Sequence, residues 1–303
     1  MPARHLVVSP TTVGEYVRRP AFPPMPGVVF LGLDYMLTIV SWNINSLRKR
    51  RGQLERLAGE TAADVICLQE TKVGDAQFPS AEIAAMGYPH QAFAGFGGRN
   101  GVAILSRLPL RDICKHGHCE RDDARHITAV IDYAGEAVTA HSLYVPAGGD
   151  IPDADLNPKF AHKLRFIDVV ADHFAGFHGL RDAAFVAGDF NVAPLPADVW
   201  NHARMSRIVT HTPIEIAALE RFKRSLYFVD AVREIVPETD SVFTWWSYRA
   251  ADWQAVNKGR RLDHIWVTPV LRQRIAAVEV MVDVRHWTPP SDHVPVVVKL
   301  GPP

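Results

Sequence analysis

Short apolar runs rich in β-branched residues, each bounded by a polar or turn residue, recur along nearly the whole chain and commit it to a sheet-based fold. Leu37-Thr-Ile-Val-Ser-Trp-Asn43 ends on an asparagine, and Asp64-Val-Ile-Cys-Leu-Gln-Glu70 on a glutamate. Glu136 to Tyr144 alternates apolar and polar residues and ends on a tyrosine, while Val186-Ala-Gly-Asp189-Phe-Asn191 stops on Gly-Asp-Phe-Asn. Asp263-His264 opens the run Ile265-Trp-Val, and Ser291-Asp292-His293 opens Val294-Pro-Val-Val-Val298. Ligands and reacting groups of sheet-based folds sit on the loops just outside strand ends. The polar residues at these ends are therefore the candidate site.

Each has an ordinary structural explanation when taken singly. Asp189 after a glycine reads as a turn former or helix cap. Glu70 could be the first solvated residue after its strand, Asp263 a partner for Arg260 or Arg261, Asp292 a turn cap and Tyr144 a packing residue. His293, beside an acid at the last apolar run, is the hardest to explain in this way. Together the set suits phosphodiester hydrolysis. A hard divalent ion such as Mg²⁺ takes carboxylate oxygens, for which Glu70 and Asp292 serve. Asp189 and His293 are candidates to position and deprotonate a water. Asp263 would fix the imidazole in one tautomer. The amides of Asn43 and Asn191 and the hydroxyl of Tyr144 can donate to charge developing on a phosphate.

The strings Asn43-Ile-Asn-Ser-Leu-Arg48, Leu68-Gln-Glu-Thr-Lys72, Gly101-Val-Ala-Ile-Leu105, Gly188-Asp-Phe-Asn191 and Ser291-Asp-His293 resemble the exonuclease III family of DNA-repair nucleases. That family lies within the endonuclease/exonuclease/phosphatase superfamily, which also contains deoxyribonuclease I. The likeness runs from about Met36 to about Leu300, and Gln-Glu-Thr-Lys favours the exonuclease III branch over phosphatase and sphingomyelinase relatives. The resemblance implies an α/β fold, a four-layer sandwich of two mixed β-sheets flanked by helices. It implies Mg²⁺, with Mn²⁺ as a substitute ion, and 3′-to-5′ exodeoxyribonuclease and abasic-site endonuclease activities in base excision repair. Double-stranded DNA with abasic sites or 3′-blocked ends would be the partner, bound by a monomer.

By the same resemblance Glu70 binds the metal, Asp189 handles the nucleophilic water, and Asn191 and Tyr144 contact the scissile phosphate. His293 with Asp263 is the pair at the phosphate, Asp292 a second metal-side acid and Asn43 a positioning residue. The metal set so implied comprises Asn43, Glu70, Asp189, Asn191, Asp292 and His293. Trp245 lies where the family places an aromatic near an extrahelical sugar, or is a loop aromatic that packs on the core. Arg125 resembles an arginine that approaches DNA, or is a solvated charge at a strand entry. One departure stands out: Ala147 takes a place where members carry Asn or Gln, which removes an expected DNA-backbone contact.

The formal net charge of +0 at pH 7 neither supports nor excludes nucleic acid, because phosphate binding needs only a local basic face. Arg48 to Arg51, Arg221 to Arg224 and the Arg249 to Arg261 loop are candidate faces, the last the best because it leads into Asp263. Cys67, Cys114 and Cys119 give an odd count without paired spacing, so no disulfide framework or zinc site is expected, and the compartment is a reducing cytoplasm. No stretch is long and apolar enough to span a membrane.

Residues 1–35 are expected to be a disordered extension or a mis-assigned start, with residues 36–303 one domain. Helices are expected over Leu47 to Gly59, Ser80 to Met86, Lys159 to Phe177 and Ile214 to Arg224. In the third, Phe160, Leu164, Ile167, Ala171 and Phe174 make one apolar stripe. Strands are expected around Gln91 to Ala94, Val102 to Ser106, Ile127 to Tyr133 and Ala137 to Tyr144, with a hairpin at Tyr133-Ala-Gly-Glu136. Two rival functions remain: a phosphatase or phosphodiesterase of the same superfamily acting on small molecules or lipids, and a DNA-binding protein with a vestigial site.

Overall fold

In the computed structural model the apolar runs become strands of two packed sheets; it describes the backbone of Leu6–Val8 and residues 36–179, 181–250 and 252–303. The N-terminal strands are β1 (Leu6–Val8), β2 (Leu37–Asn43), β3 (Val65–Gln69), β4 (His90–Phe96) and β5 (Arg99–Ser106). Then follow β6 (Leu110–Lys115), β7 (His126–Tyr133), β8 (Glu136–Tyr144) and β9 (Ala184–Asp189). The chain closes with β10 (Val229–Asp230), β11 (Asp263–Val267), β12 (Ile275–Val280) and β13 (Val296–Leu300). The first helices are α1 (Leu47–Thr61), α2 (Ser80–Ala85) and α3 (Pro158–Phe177). Beyond them lie α4 (His202–Met205), α5 (Pro213–Ser225), α6 (Ala231–Ile235) and α7 (Trp253–Val256).

One sheet runs β1-β12-β13-β2-β3-β5-β4 and the other β10-β11-β9-β8-β7-β6. Each is mixed: β2 and β3 are parallel in the first, β8 and β9 in the second, and the remaining pairs are antiparallel. Side chains of a strand alternate between faces, and the second sheet uses both. Phe185, Ala187, Ile265 and Val267 join the core shared with the first sheet, whereas Val186 and Trp266 join Phe166, Val170, Phe174 and Phe222 of α3 and α5. The result is a sandwich of two mixed sheets with helices outside. No helix of the described residues is long and apolar enough to cross a membrane.

Gly188 shows why β9 must read Gly-Asp. A Cβ there would lie 1.8 Å from the Leu143 carbonyl oxygen of β8, so only glycine allows the two parallel strands their spacing. Asp189 is the last residue of that strand, and its carboxylate also accepts the Asn191 backbone amide at 2.9 Å, as in a turn. The expected hairpin is present: Tyr133 pairs with Glu136, and Ala134 and Gly135 between them both have positive φ, as a tight two-residue turn requires.

Several expected boundaries move. The last strand begins at Val296 rather than Val294, because the Val294 amide donates to Thr244 and Pro295 has no N–H to give. Strands β6 and β12 carry no expectation from the sequence. In α3 the buried stripe holds Phe160, Ile167, Ala171 and Phe174, but Leu164 sits at its margin and Lys163 lies in the buried face. Helix α5 starts at Pro213 under a capping box in which Thr212 and Glu215 satisfy each other's backbone amides. The expectation for residues 1–35 falls, Leu6–Val8 apart, outside the described residues.

The Arg249 to Arg261 face also needs correction. Arg261 is fully buried and holds Asp198 and Asp230 through Nε and Nη1 at 2.7 and 2.8 Å, so it is an internal tie and no DNA contact. It does not pair with Asp263. Arg50, within the first basic run, is likewise buried and donates to the Ile44 and Pro289 carbonyls.

Candidate active site

The two sheets bring their loop-bearing strand ends to one edge of the sandwich. Asn43 ends β2 opposite Gln69, the residue before Glu70, on β3. Asp189 ends β9 between Tyr144 of β8 and Asp263 of β11, in register with both. His293 bridges to Trp245, which in turn bridges to Arg260.

Hydrogen bonds join these residues across the sheets. The Asn43 side-chain amide donates to Glu70 Oε1 at 3.1 Å and to Asp189 Oδ2 at 2.9 Å. Tyr144 donates its hydroxyl to the same Glu70 oxygen at 2.8 Å. Asn191 donates its backbone amide to Asp189 Oδ1 at 2.9 Å and its side-chain amide to Oδ2 at 3.2 Å and to the Val145 carbonyl at 2.9 Å. His293 Nδ1 meets Asp263 Oδ2 at 2.8 Å while its Nε2 lies 3.7 Å from Asp189 Oδ2. Thr244 Oγ1 donates to that Asp263 oxygen at 2.6 Å, which fixes the carboxylate in turn.

Asp292 stands on the far side of Glu70. Its oxygens accept from Asn45 Nδ2 at 2.9 Å and from the indole of Trp245 at 3.0 Å. Lys72 Nζ lies 2.7 Å from both Asn45 Oδ1 and Glu70 Oε2, so the chain of contacts closes from Asp292 back to Glu70. Arg125 stacks over the Tyr144 ring at 4.7 Å and is held by Asp123 and Asn100. Every residue picked out from the sequence therefore lies in or against one cluster. Asn45, Lys72 and Thr244 were not picked out, although Asn45 and Lys72 lie inside strings already singled out, and Thr244 had no signal.

Local backbone geometry is special here. Asn45, Glu70, Lys72 and Asn191 all have φ between 46° and 53°, a left-handed conformation that costs about 1–3 kcal/mol where the surroundings impose it. The surroundings are identifiable for one turn: Thr71 and Lys72 donate their amides to the carbonyls of Gly101 and Asn100. Gly101 has φ 94°, and a Cβ on it would lie 2.2 Å from Thr71 Oγ1, which explains why the Gly101 string accompanies Gln-Glu-Thr-Lys. Ser291 donates to the Asn43 carbonyl at 2.8 Å and pins the His293 loop to β2.

Burial pushes the Asp189 carboxyl up to about 7, against the pull of the His293 charge and with the help of Asp263. Burial opposes charge on His293 as well, but Asp263 and Asp189 outweigh it and push the imidazole up to about 10. Burial also acts on Glu70, where Lys72 and Asn43 prevail and hold it below the usual carboxylate range. Tyr144, buried beside Glu70 and Asp189, is held well above its ordinary value and stays a donor. At neutral pH the site thus combines an imidazolium, a phenol and a carboxylate poised to accept a proton.

The donors fit a hard divalent cation. Glu70, Asp292 and the amide oxygens of Asn43 and Asn45 are all oxygen ligands of the kind Mg²⁺ takes. A cation already stands among them, the Lys72 ammonium between Glu70 and Asn45. Asp189, Asp263 and His293 also place one ligand atom each within 4.8 Å of one another. His293 Nδ1 is committed to Asp263, however, which makes this trio better suited to holding a proton.

A carboxylate–imidazole pair facing a cluster of oxygen donors, on the loop edge of a two-sheet sandwich, defines a metal-dependent phosphoesterase. The sequence model of the Endonuclease/Exonuclease/phosphatase family matches residues 40–293, and the chain belongs to that family, in its exonuclease III group. It is 30% identical over 271 residues to exodeoxyribonuclease III of Haemophilus influenzae, covering 86% of this chain and 98% of that protein. Among solved structures it is similar to an AP endonuclease from Archaeoglobus fulgidus, with a TM-score of 0.79, 31% identity and coverage of 87% and 99%. It is similar also to a 3′ phosphatase from Neisseria bound to a product DNA hairpin, with a TM-score of 0.78, 29% identity and the same coverage.

The Asp189 carboxyl gives a pH expectation. Only its ionised form can take a proton from water, so activity should fall as pH drops through about 7 and hold above it until the His293 charge is lost. A pH–rate profile of kcat/KM checks this. A flat profile from pH 5 to 8 would remove Asp189 as the base.

Proposed function

We propose that this protein is a DNA-repair nuclease that hydrolyses phosphodiesters of double-stranded DNA, as a 3′-to-5′ exodeoxyribonuclease and abasic-site endonuclease. The observation that carries the reading is the unbroken contact chain Asp263–His293–Asp189–Asn43–Glu70–Tyr144 at the strand ends. Asp189 accepts the proton of the attacking water while Asn43 and Asn191 keep its carboxylate aimed. His293, held charged by Asp263, donates Nε2–H to a phosphate oxygen. Tyr144 donates to another by turning from Glu70, and Asn191 can join by releasing its longer bond to Asp189. Glu70 and Asp292 would hold Mg²⁺, or Mn²⁺ in its place, with Asn43 and Asn45 as neighbouring oxygen donors. When bound, the ion supplies charge that polarises the phosphate and stabilises the leaving oxygen. The enzyme acts as a monomer in the cytoplasm, where the thiols of Cys67, Cys114 and Cys119 remain unpaired.

Trp245 gives its indole N–H to Asp292 and its face to Arg260 at 4.9 Å, so it steadies the metal-side acid whether or not it also meets a sugar. Arg125, with its guanidinium on Tyr144, serves the phosphate through that ring. Cleavage of a labelled duplex bearing one abasic-site analogue, beside an intact duplex, a duplex ending in a 3′-phosphate and an inositol phosphate, tests the proposal. Incision 5′ to the lesion that Mg²⁺ supports and a chelator abolishes is expected. Phosphate release from the inositol phosphate without DNA cleavage would transfer the protein to the small-molecule phosphatases of its superfamily.

A further inference from the structure

The second sheet carries another concentration of chemistry, on the face toward α3. His116 lies just beyond β6, His126 and His141 lie on β7 and β8, and His173 and His178 lie on and just past α3. His116, His126 and His173 each place one ring nitrogen within 4.8 Å of the others. Their ring centroids are 4.6 Å apart for His116 with His126, 4.6 Å for His116 with His173, and 5.4 Å for His126 with His173. Residue order alone does not signal this cluster, because the three come from segments that only the fold brings together.

Two observations point to a ligand. His173 Nε2 is buried with no hydrogen-bond partner, although burying an unmade bond is costly. In addition, His126 belongs to a chain of imidazoles ending at a carboxylate. His126 Nε2 meets His141 Nδ1 at 3.0 Å, His141 Nε2 meets His178 Nε2 at 2.7 Å, and His178 Nδ1 faces Asp182 at 3.7 Å. A neutral imidazole has one N–H and one lone pair. If His178 gives its Nδ1 proton to Asp182, its Nε2 must accept from His141, whose Nδ1 then accepts from His126. His126 is left with its proton on Nε2 and a lone pair on Nδ1. Ligating histidines characteristically donate their other ring N–H to a fixed acceptor, as His126 does here to His141.

We propose that His116, His126 and His173 form a second metal site, specific for a first-row transition cation of the Zn²⁺ type and separate from the oxygen-lined site that serves catalysis. Imidazole nitrogens prefer such ions to Mg²⁺. Ligand nitrogens about 2.0–2.1 Å from zinc lie about 3.3 Å apart in a tetrahedron, so nitrogens now within 4.8 Å of one another need to close by at most about 1.5 Å. His126 Nδ1 now meets His118 Nε2 at 2.9 Å, and ligation exchanges that contact for the metal. His116 now meets Thr128 Oγ1 at 3.1 Å through Nε2 and the Cys114 thiol at 3.8 Å through Nδ1, and ligation exchanges one of these contacts for the metal. Burial holds His116, His126 and His173 below the ordinary imidazole value, so protons compete weakly for the nitrogens at neutral pH.

Zn²⁺ binding by the full-length protein, read by competition with a chromophoric chelator, tests the proposal. A Glu70→Gln/Asp292→Asn variant removes the catalytic acids and should still bind one Zn²⁺ tightly. His116→Gln/His173→Gln should bind it at least about 100-fold more weakly, while its Mg²⁺-dependent DNA cleavage stays at the wild-type level. Zinc absorption-edge spectroscopy on the unaltered chain needs no variant and should show three imidazoles at about 2.0–2.1 Å. Equal Zn²⁺ affinity with and without His116 and His173, or a zinc shell of oxygens only, would overturn the site.

Discussion

Replacing Asp189 by alanine is expected to lower turnover on abasic DNA by about 10⁴-fold, and His293→Ala by about 10²–10³-fold, while both proteins still bind DNA. The sizes differ because the roles do. Among the described residues Asp189 is the one buried carboxylate that burial lifts to about 7 and that two side-chain amides aim, so no neighbour can replace it as the proton acceptor. Glu70 is bound by Lys72, Asn43 and Tyr144, and Asp263 by His293 and Thr244. Loss of His293 removes a charged donor but leaves Tyr144 and Asn191. Single-turnover cleavage measured beside a DNA-binding titration separates the two effects. Full activity in either variant would overturn the assignment.

The same variants explain why the site was legible before the fold was known. Asn43, Tyr144 and Asp189 end strands, Glu70 directly follows one and Asp263 begins one, so the boundary of a strand-like run at a polar residue marks each position. Pairing was not legible to the same extent. Asp263 could have been a partner of Arg260 or Arg261, and only the antiparallel register with Asp189 turns it toward His293. Arg261 shows the limit from the other side. In sequence it belongs to a basic loop, but Asp198, 63 residues earlier, draws it fully into the interior. Strand β6 escaped notice because it is exposed along nearly its whole length and so lacks the apolar alternation that marks a half-buried strand. The missed contributions of Asn45 and Lys72 rest on positive φ values, which residue types alone do not announce.

Lys163→Ala is expected to destabilise the protein by about 3–5 kcal/mol, the size seen when one partner of a buried ion pair is removed. For a domain of this length that is a fall of about 10 °C in Tm. Lys163 is completely buried in α3 and paired with Glu215 of α5, and its ammonium also donates to the Asn191 carbonyl at 2.7 Å. Glu215 accepts from the amides of Thr210 and Thr212 as well, so without the lysine a charged group stays buried with amide and hydroxyl donors alone. Placing a lysine in the apolar stripe of a helix makes sense only through what it holds. It reaches the loops after β8 and β9 at Ala147 and Asn191, next to Tyr144 and Asp189, and ties both to the α3–α5 layer. The variant should therefore lose activity beyond its loss of folded protein, because Asn191 would no longer be anchored at φ 53° where its amides meet Asp189. Replacing both partners, as Lys163→Met/Glu215→Leu, should recover much of the Tm and less of kcat. Thermal unfolding and kcat measured on the same preparations check both halves, and equal recovery of the two would show that the pair serves stability alone.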